Sequence, residues 1–143
     1  MKQLKYLVIV VITFLTVNTG NAMNQEQKNS QEDKLVVVWT SDDPYVADRV
    51  ALMYTHAAKT NKWFEDVTLI IWGPSAKLTS ENRKIQEKLK AMKDDGVEIR
   101  ACIACASAYG VTDDLKGLGF EVAGMGKPLT YYLKDDSVKV LTF

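Results

Sequence analysis

The chain contains few of the residues from which metal centres are usually built. Its 143 residues include two cysteines and one histidine, His56. A structural zinc ion takes four protein ligands, mostly cysteine and histidine. One copy of the chain offers too few, so a zinc site would have to be shared between subunits. We therefore predict no metal within a single subunit.

The chain also has no excess of positive charge. It carries 18 Lys and Arg against 18 Asp and Glu, so its formal net charge is zero. Surfaces that bind nucleic acid are basic, and we predict no nucleic-acid partner. The glycine pair Gly124 and Gly126 lacks the spacing of the dinucleotide-binding fingerprint, and we predict no cofactor.

The apolar run near the start, residues 6–17, is too short for a comfortable membrane span. It follows a basic start and precedes Gly20 and Ala22, as in a secretory signal peptide. No cysteine follows the run, which argues against a lipid anchor. We expect residues 1–22 to be a signal peptide cleaved after Ala22. The protein would then be periplasmic or exported, without stable membrane insertion, and an uncleaved anchor is the alternative.

The rest of the chain divides into a spacer and one domain. Residues 23–34 are polar without apolar periodicity, so we expect a disordered spacer. From residue 35 to 143, strand and helix patterns alternate five times. The apolar runs 35–39 and 67–72 are typical of strands buried on both faces of a parallel sheet. This order predicts a single α/β domain, a flavodoxin-like, doubly wound three-layer sandwich with a mainly parallel five-stranded sheet.

The first helix of the domain has a clear start signal. An aspartate N-cap followed by Pro44 opens a helix that we expect to run to about Asn61. Its inner face is predicted from apolar residues at helical spacing. These residues are Val46, Val50, Met53, Tyr54 and Ala57.

Both cysteines, Cys102 and Cys105, lie in one CxxC motif. Alternation of apolar and charged residues over 97–101 predicts a strand before the motif, and small residues after it predict a short helix that stops at Gly110. Cys102 would thus lie where a strand becomes a helix, and free N–H groups at a helix start favour a thiolate. The pattern predicts a reactive cysteine. The alternative is that the two cysteines are small buried core residues.

Ligands in such sheets collect beyond the carboxyl ends of the strands, where the winding reverses. With the flavodoxin-like strand order 2-1-3-4-5, strands one and three would be neighbours, and three polar residues would line the site beside Cys102. These are Ser41, Asp42 and Asp43. Gly124 and Gly126, on either side of Met125, would let backbone approach the sulfur from the other side. The alternative role for the aspartates and glycines is in helix caps and turns.

After the motif come Tyr109-Gly110-Val111, the pair Asp114-Leu115, the strand start Gly119–Val122 and a closing strand. With the cysteine at the end of a strand, this order resembles the DsrE/DsrF-like family of sulfur-handling proteins. The resemblance implies a carrier in a sulfur relay that holds sulfane sulfur as a persulfide on Cys102. It also implies sulfur donor and acceptor proteins, or polysulfide, as partners and a homotrimer or homohexamer. The relay pattern more often has a hydroxyl residue where this chain has Cys105.

Our leading hypothesis is that Cys102 accepts sulfane sulfur and passes it on or releases it, with Cys105 as a resolving thiol. Such a protein would be a persulfide or sulfur transferase. One alternative is a thiol–disulfide oxidoreductase, although thioredoxin-like proteins place CxxC after an early strand. The other is a non-catalytic homo-oligomeric assembly module in which CxxC forms a structural disulfide.

Overall fold

A computed structural model describes residues 34–143 as an α/β domain around one sheet. The sheet has five strands, all paired in parallel. They are β1 (Lys34–Trp39), β2 (Asp66–Ile71), β3 (Glu98–Cys102), β4 (Glu121–Ala123) and β5 (Val138–Thr142). The predicted α/β class and parallel sheet are confirmed. The predicted signal peptide and nearly all of the predicted spacer lie outside the described residues.

Helices connect the strands. Helix α1 consists of three consecutive segments, Pro44–Val46, the π-helical Ala47–Ala51 and Leu52–Thr60. The others are α2 (Ser75–Glu81), α3 (Arg83–Asp94), α4 (Ile103–Ala108), α5 (Thr112–Gly117) and α6 (Gly126–Lys134). Among the residues that the structure describes, no helix is long and apolar enough to cross a membrane.

The strand order is β4-β3-β2-β1-β5, and the order 2-1-3-4-5 used above is wrong. The connections from β1 to β4 each move the chain one strand further in the same direction. The chain reverses once, after β4, when it returns to the far side of β1. Strand β2 therefore lies between β1 and β3, and the reversal falls between β1 and β5. Apolar runs identify strands, but they do not specify which strands are neighbours.

Two packed clusters lie on opposite faces of the sheet. In β1, Leu35, Val37 and Trp39 belong to the larger cluster, which includes buried residues from α1 to α5. Val36 belongs to the smaller cluster, to which α6 contributes Leu129. Alternate residues of a strand point to opposite faces. The domain thus has the three predicted layers, with five helices on one face and α6 alone on the other.

Helix α1 begins as predicted but buries a different face. The Asp43 carboxylate accepts hydrogen bonds from the Tyr45 and Val46 N–H groups at 2.7 and 3.1 Å, with Pro44 at the first position. The residues buried against the sheet are mainly small. They are Ala47, Ala51, Leu52, Thr55 and Ala58. Val50 and Met53 of the predicted inner face are 41% and 53% exposed, because the helix is rotated so that its small residues face the sheet.

Asp48, in the π-helical turn, ties α1 to α3. Its carboxylate accepts hydrogen bonds from Lys88 Nζ at 2.7 Å and Lys84 Nζ at 3.2 Å. These hydrogen bonds lower the pKa of Asp48 to about 2. The pairing stabilises the ionised form of the carboxylate in the folded protein.

Candidate functional site at the CxxC motif

Cys102 lies at the predicted junction, as the last residue of β3 and the N-cap of α4. In β3, Ile99 and Ala101 belong to the larger cluster, whereas Cys102 points to the other face and belongs to the smaller one. Its side chain is only 5% exposed. The junction therefore places the sulfur on the face that α6 covers.

Cys105 follows on α4 and is half-buried at the boundary of both clusters. Both cysteines are free thiols, and the Cys105 thiol interacts with that of Cys102. Burial raises the pKa of Cys105 above its ordinary value, and hydrogen bonding from the Gly73 backbone N–H acts in the opposite direction. The Cys102 thiol raises the pKa further. Cys102 is thus almost fully buried in the smaller cluster, and the half-buried Cys105 packs against the same cluster.

The loop after β2 forms the near wall of this site. Trp72 belongs to the smaller cluster, and Gly73 adopts a left-handed φ of +71°. The loop is held to the end of β1 because Trp72 N–H donates to the Trp39 carbonyl at 3.0 Å and Ser75 Oγ donates to the same oxygen at 2.6 Å. We did not predict Trp72 and Gly73 as site residues, because the assumed order 2-1-3-4-5 separates β2 from β3, whereas the two strands are neighbours in the structure.

Ser41, Asp42 and Asp43 do not lie beside Cys102, contrary to the expectation from the assumed strand order. They follow β1, two strands from β3, and neighbouring strands are about 4.8 Å apart. Ser41 Oγ accepts a hydrogen bond from the Asp43 N–H at 3.1 Å, and Asp43 caps α1. In the structure Asp43 serves the alternative role, as the N-cap of α1, and Ser41 holds the turn before it.

The structure brings Met125 into the site. It is 1% exposed and belongs to the same cluster as Cys102, and Ala123, two residues earlier, pairs with Cys102 in the sheet. Gly124 and Gly126 lie on either side of Met125. A Cβ atom built at either glycine would meet no heavy atom within 4 Å, so packing does not require glycine there.

A charged network flanks the thiols on the same face of β3. Arg100 Nη2 donates to Glu98 Oε1 at 2.6 Å, and Arg100 Nε lies 3.3 Å from Glu121 Oε2. Burial raises the pKa of Glu98, but hydrogen bonds from Thr68 and Arg100 outweigh it and hold the pKa below its ordinary value. Because two carboxylates neutralise Arg100, the network adds little positive charge at Cys102.

Other binding features lie elsewhere or are lacking in the described residues. Within residues 34–143, no three His, Cys, Asp or Glu side chains converge to hold a metal ion. A surface depression of about 680 Å³ lies between the end of α1 and the start of β2, lined by Lys59, Lys62 and Asp95 among others. It lies at the amino ends of the strands, away from the cysteines.

The domain matches a known protein family over its whole length. The model of the DsrE/DsrF-like family matches residues 33–143. The chain belongs to the DsrE/DsrF-like family. The family is generally linked to sulfur relay.

A solved structure shares the fold of this DsrE-like chain. It is described as a conserved protein of unknown function from Bacteroides thetaiotaomicron, 33% identical, with a TM-score of 0.75. The match covers 80% of the present chain and 100% of that one. The search of curated proteins gave no match.

Proposed function

We propose that this DsrE-like protein accepts sulfane sulfur as a persulfide on Cys102 and then passes it on or releases it, with Cys105 as the resolving thiol. The observation that supports this most is the placement of two free, interacting thiols at the strand-to-helix junction. Family membership supports sulfur as the group transferred.

Loading is a thiol exchange at sulfur. The Cys102 thiolate attacks the outer sulfur of a donor persulfide, or the terminal sulfur of a polysulfide, and forms a new S–S bond. The S–S bond of the donor breaks, and the donor leaves as a thiolate or a shortened polysulfide. Cys102 then carries one additional sulfur atom, and no external oxidant or reductant is consumed.

Release uses the second cysteine. The Cys105 thiolate attacks Sγ of the Cys102 persulfide, hydrosulfide leaves with the outer sulfur, and a Cys102–Cys105 disulfide remains. Cys102 is the N-cap of α4 and Cys105 lies in its first turn, and both cysteines pack in or against the smaller cluster. An external dithiol must then reduce the disulfide. A partner thiol that attacks the outer sulfur first would take up the sulfur without forming the disulfide.

We also propose the setting of this chemistry. The exported protein would begin at Met23, act in the periplasm on persulfide-bearing proteins or polysulfide, and assemble as a homotrimer or homohexamer. Val50 and Met53, exposed on α1, support subunit contacts. Light scattering of the purified protein at several concentrations tests the assembly, and a monomer at all of them would refute it.

Mass spectrometry after mild polysulfide treatment tests the chemistry. Cys105→Ser should retain one added sulfur on Cys102 and release little sulfide until a thiol is added. Cys102→Ser should neither gain nor release sulfur. Wild type should release sulfide and end with the disulfide.

Two results would contradict this assignment. If wild type and Cys105→Ser retain the persulfide equally long without added thiol, Cys105 is not a resolving residue and a plain carrier remains. If Cys102 never gains sulfur but the wild type exchanges disulfides with a reduced peptide, the protein is a thiol–disulfide oxidoreductase. The adjacency of the two thiols suits that chemistry also.

A further inference from the structure

A sulfur donor cannot reach Cys102 in the structure as it stands. Cys102 is 5% exposed and lies in the cluster that includes Met125. Leu129 and Tyr132 of α6 pack against this cluster. Attack on a donor persulfide requires the two sulfur atoms to meet. Some of the residues packed around Cys102 must therefore move before Cys102 reacts.

Residues 124–134, which contribute Met125 and α6 to the packing around Cys102, are held by few contacts. No residue of α6 is buried, and Met125 is the single buried residue of the segment 124–134. Tyr131 and Leu133 on α6 are exposed. A cation–π contact adds one link, with Lys34 Nζ 5.0 Å from the centre of the Tyr132 ring. Segments with few buried contacts open at a lower free energy than the core of a domain.

In the closed form, neither the packing nor the backbone conformation requires glycine on either side of Met125. A Cβ at Gly124 or Gly126 would meet nothing within 4 Å, and neither glycine is among those with positive φ. Space and backbone conformation would both accept alanine. Glycine still has one property that alanine lacks, which is greater backbone freedom when a segment is released.

We propose that residues 124–134 form a hinged cover over Cys102, with Gly124 and Gly126 as hinges and Met125 as the side chain that closes it. Sulfur donors would reach Cys102 only when this segment opens. The inference rests on the proposed function in taking Cys102 as the reacting thiol. It adds that access to the thiol is controlled by the backbone freedom of two glycines.

Alkylation kinetics of the full chain test the cover without any sulfur donor. In a Cys105→Ser background, Cys102 is the single cysteine. Gly124→Ala and Gly126→Ala should each slow alkylation of Cys102 by about two- to fivefold, because each lowers the entropy of the opened segment. Gly117→Ala is the matched control, since a Cβ there also meets nothing and its φ is not positive. It should leave the rate unchanged.

Met125 tests the closing contact from the other direction. Met125→Ala should speed alkylation at least about tenfold, because the closed form loses its buried anchor. Met125→Leu keeps an apolar side chain of similar size and should stay within about twofold of the Met125 protein. Thermal unfolding of every variant shows whether the whole domain has been weakened. If Met125→Ala does not fold, the glycine variants decide.

Alkylating reagents of different size distinguish opening of residues 124–134 from a permanent channel to Cys102. Iodoacetamide and a polyethylene-glycol maleimide should be slowed by the same factor, since both need the same opening. A slowing confined to the bulky reagent, or unchanged rates in a folded Gly124→Ala/Gly126→Ala variant, would overturn the cover.

Persulfide loading of the same variants distinguishes the two proposals. If alkylation responds as expected but Cys102 never gains sulfur, the cover stands and the sulfur function fails. If Cys102 gains sulfur while the glycine and Met125 substitutions leave its alkylation rate unchanged, the sulfur function stands and the cover fails.

Discussion

Replacement of Gly73 by alanine should destabilise the domain through backbone conformation alone. Gly73 lies in the loop beside the cysteines and has a φ of +71°, in the left-handed region. A Cβ there would meet nothing closer than the Thr40 carbonyl oxygen, at 4.0 Å. Since 4.0 Å is ordinary contact, alanine fits the available space. The cost comes from holding a residue with a Cβ in that conformation.

The size of the effect follows from two opposing terms. The left-handed conformation costs an L-residue about 1–2 kcal/mol. Alanine also restricts the unfolded chain, which stabilises the folded state by about 0.4–1 kcal/mol. The net loss in free energy of unfolding should be about 1 kcal/mol. For a domain of this size the melting temperature would fall by roughly 4 °C or more.

Urea denaturation of Gly73→Ala and two further variants measures this change in the free energy of unfolding. Gly117→Ala is the control, because its site is equally open but its φ is not positive. It should gain about 0.4–1 kcal/mol, so the same substitution has opposite signs at the two sites. Gly73→Asn should lose less than Gly73→Ala, since asparagine tolerates the left-handed region. Equal or greater stability of Gly73→Ala than of wild type would refute the argument.

Three further predictions concern other parts of the chain. The folded pKa of Asp48 is about 2, below an unfolded value of about 3.9. In urea, the free energy of unfolding of wild type should therefore exceed that of Asp48→Asn by its largest amount above about pH 4. This difference should be lost as the pH falls towards 2, and a difference that does not change with pH would contradict the prediction. In wild type, alkylation of Cys105 followed by mass spectrometry should titrate above the ordinary thiol range because burial and the Cys102 thiol both raise its pKa, and a midpoint at or below that range would oppose this. N-terminal sequencing from the native host should begin at Met23, whereas an intact Met1 in membranes would indicate an anchor.

Local sequence patterns predicted most secondary-structure elements. The apolar run 35–39 marks β1, Pro44 after an aspartate marks the start of α1, and the CxxC motif marks the junction of β3 and α4. These patterns work because the interactions behind them are local. Capping bonds and proline geometry involve residues close together in the chain, and continuous apolar runs mark strands buried on both faces.

The sequence by itself also determined which thiols the site can offer, since the two cysteines are the chain's only thiols. It could not determine their surroundings. Strand order depends on which helices pack on which face, and this brought Gly73 beside Cys105 and left Asp43 two strands away from Cys102. The buried face of α1 was likewise decided by packing in the folded domain, where small residues of the helix face the sheet. The tertiary structure alone decided that Met125 and α6 lie on the face of Cys102, because those contacts join residues distant in the chain.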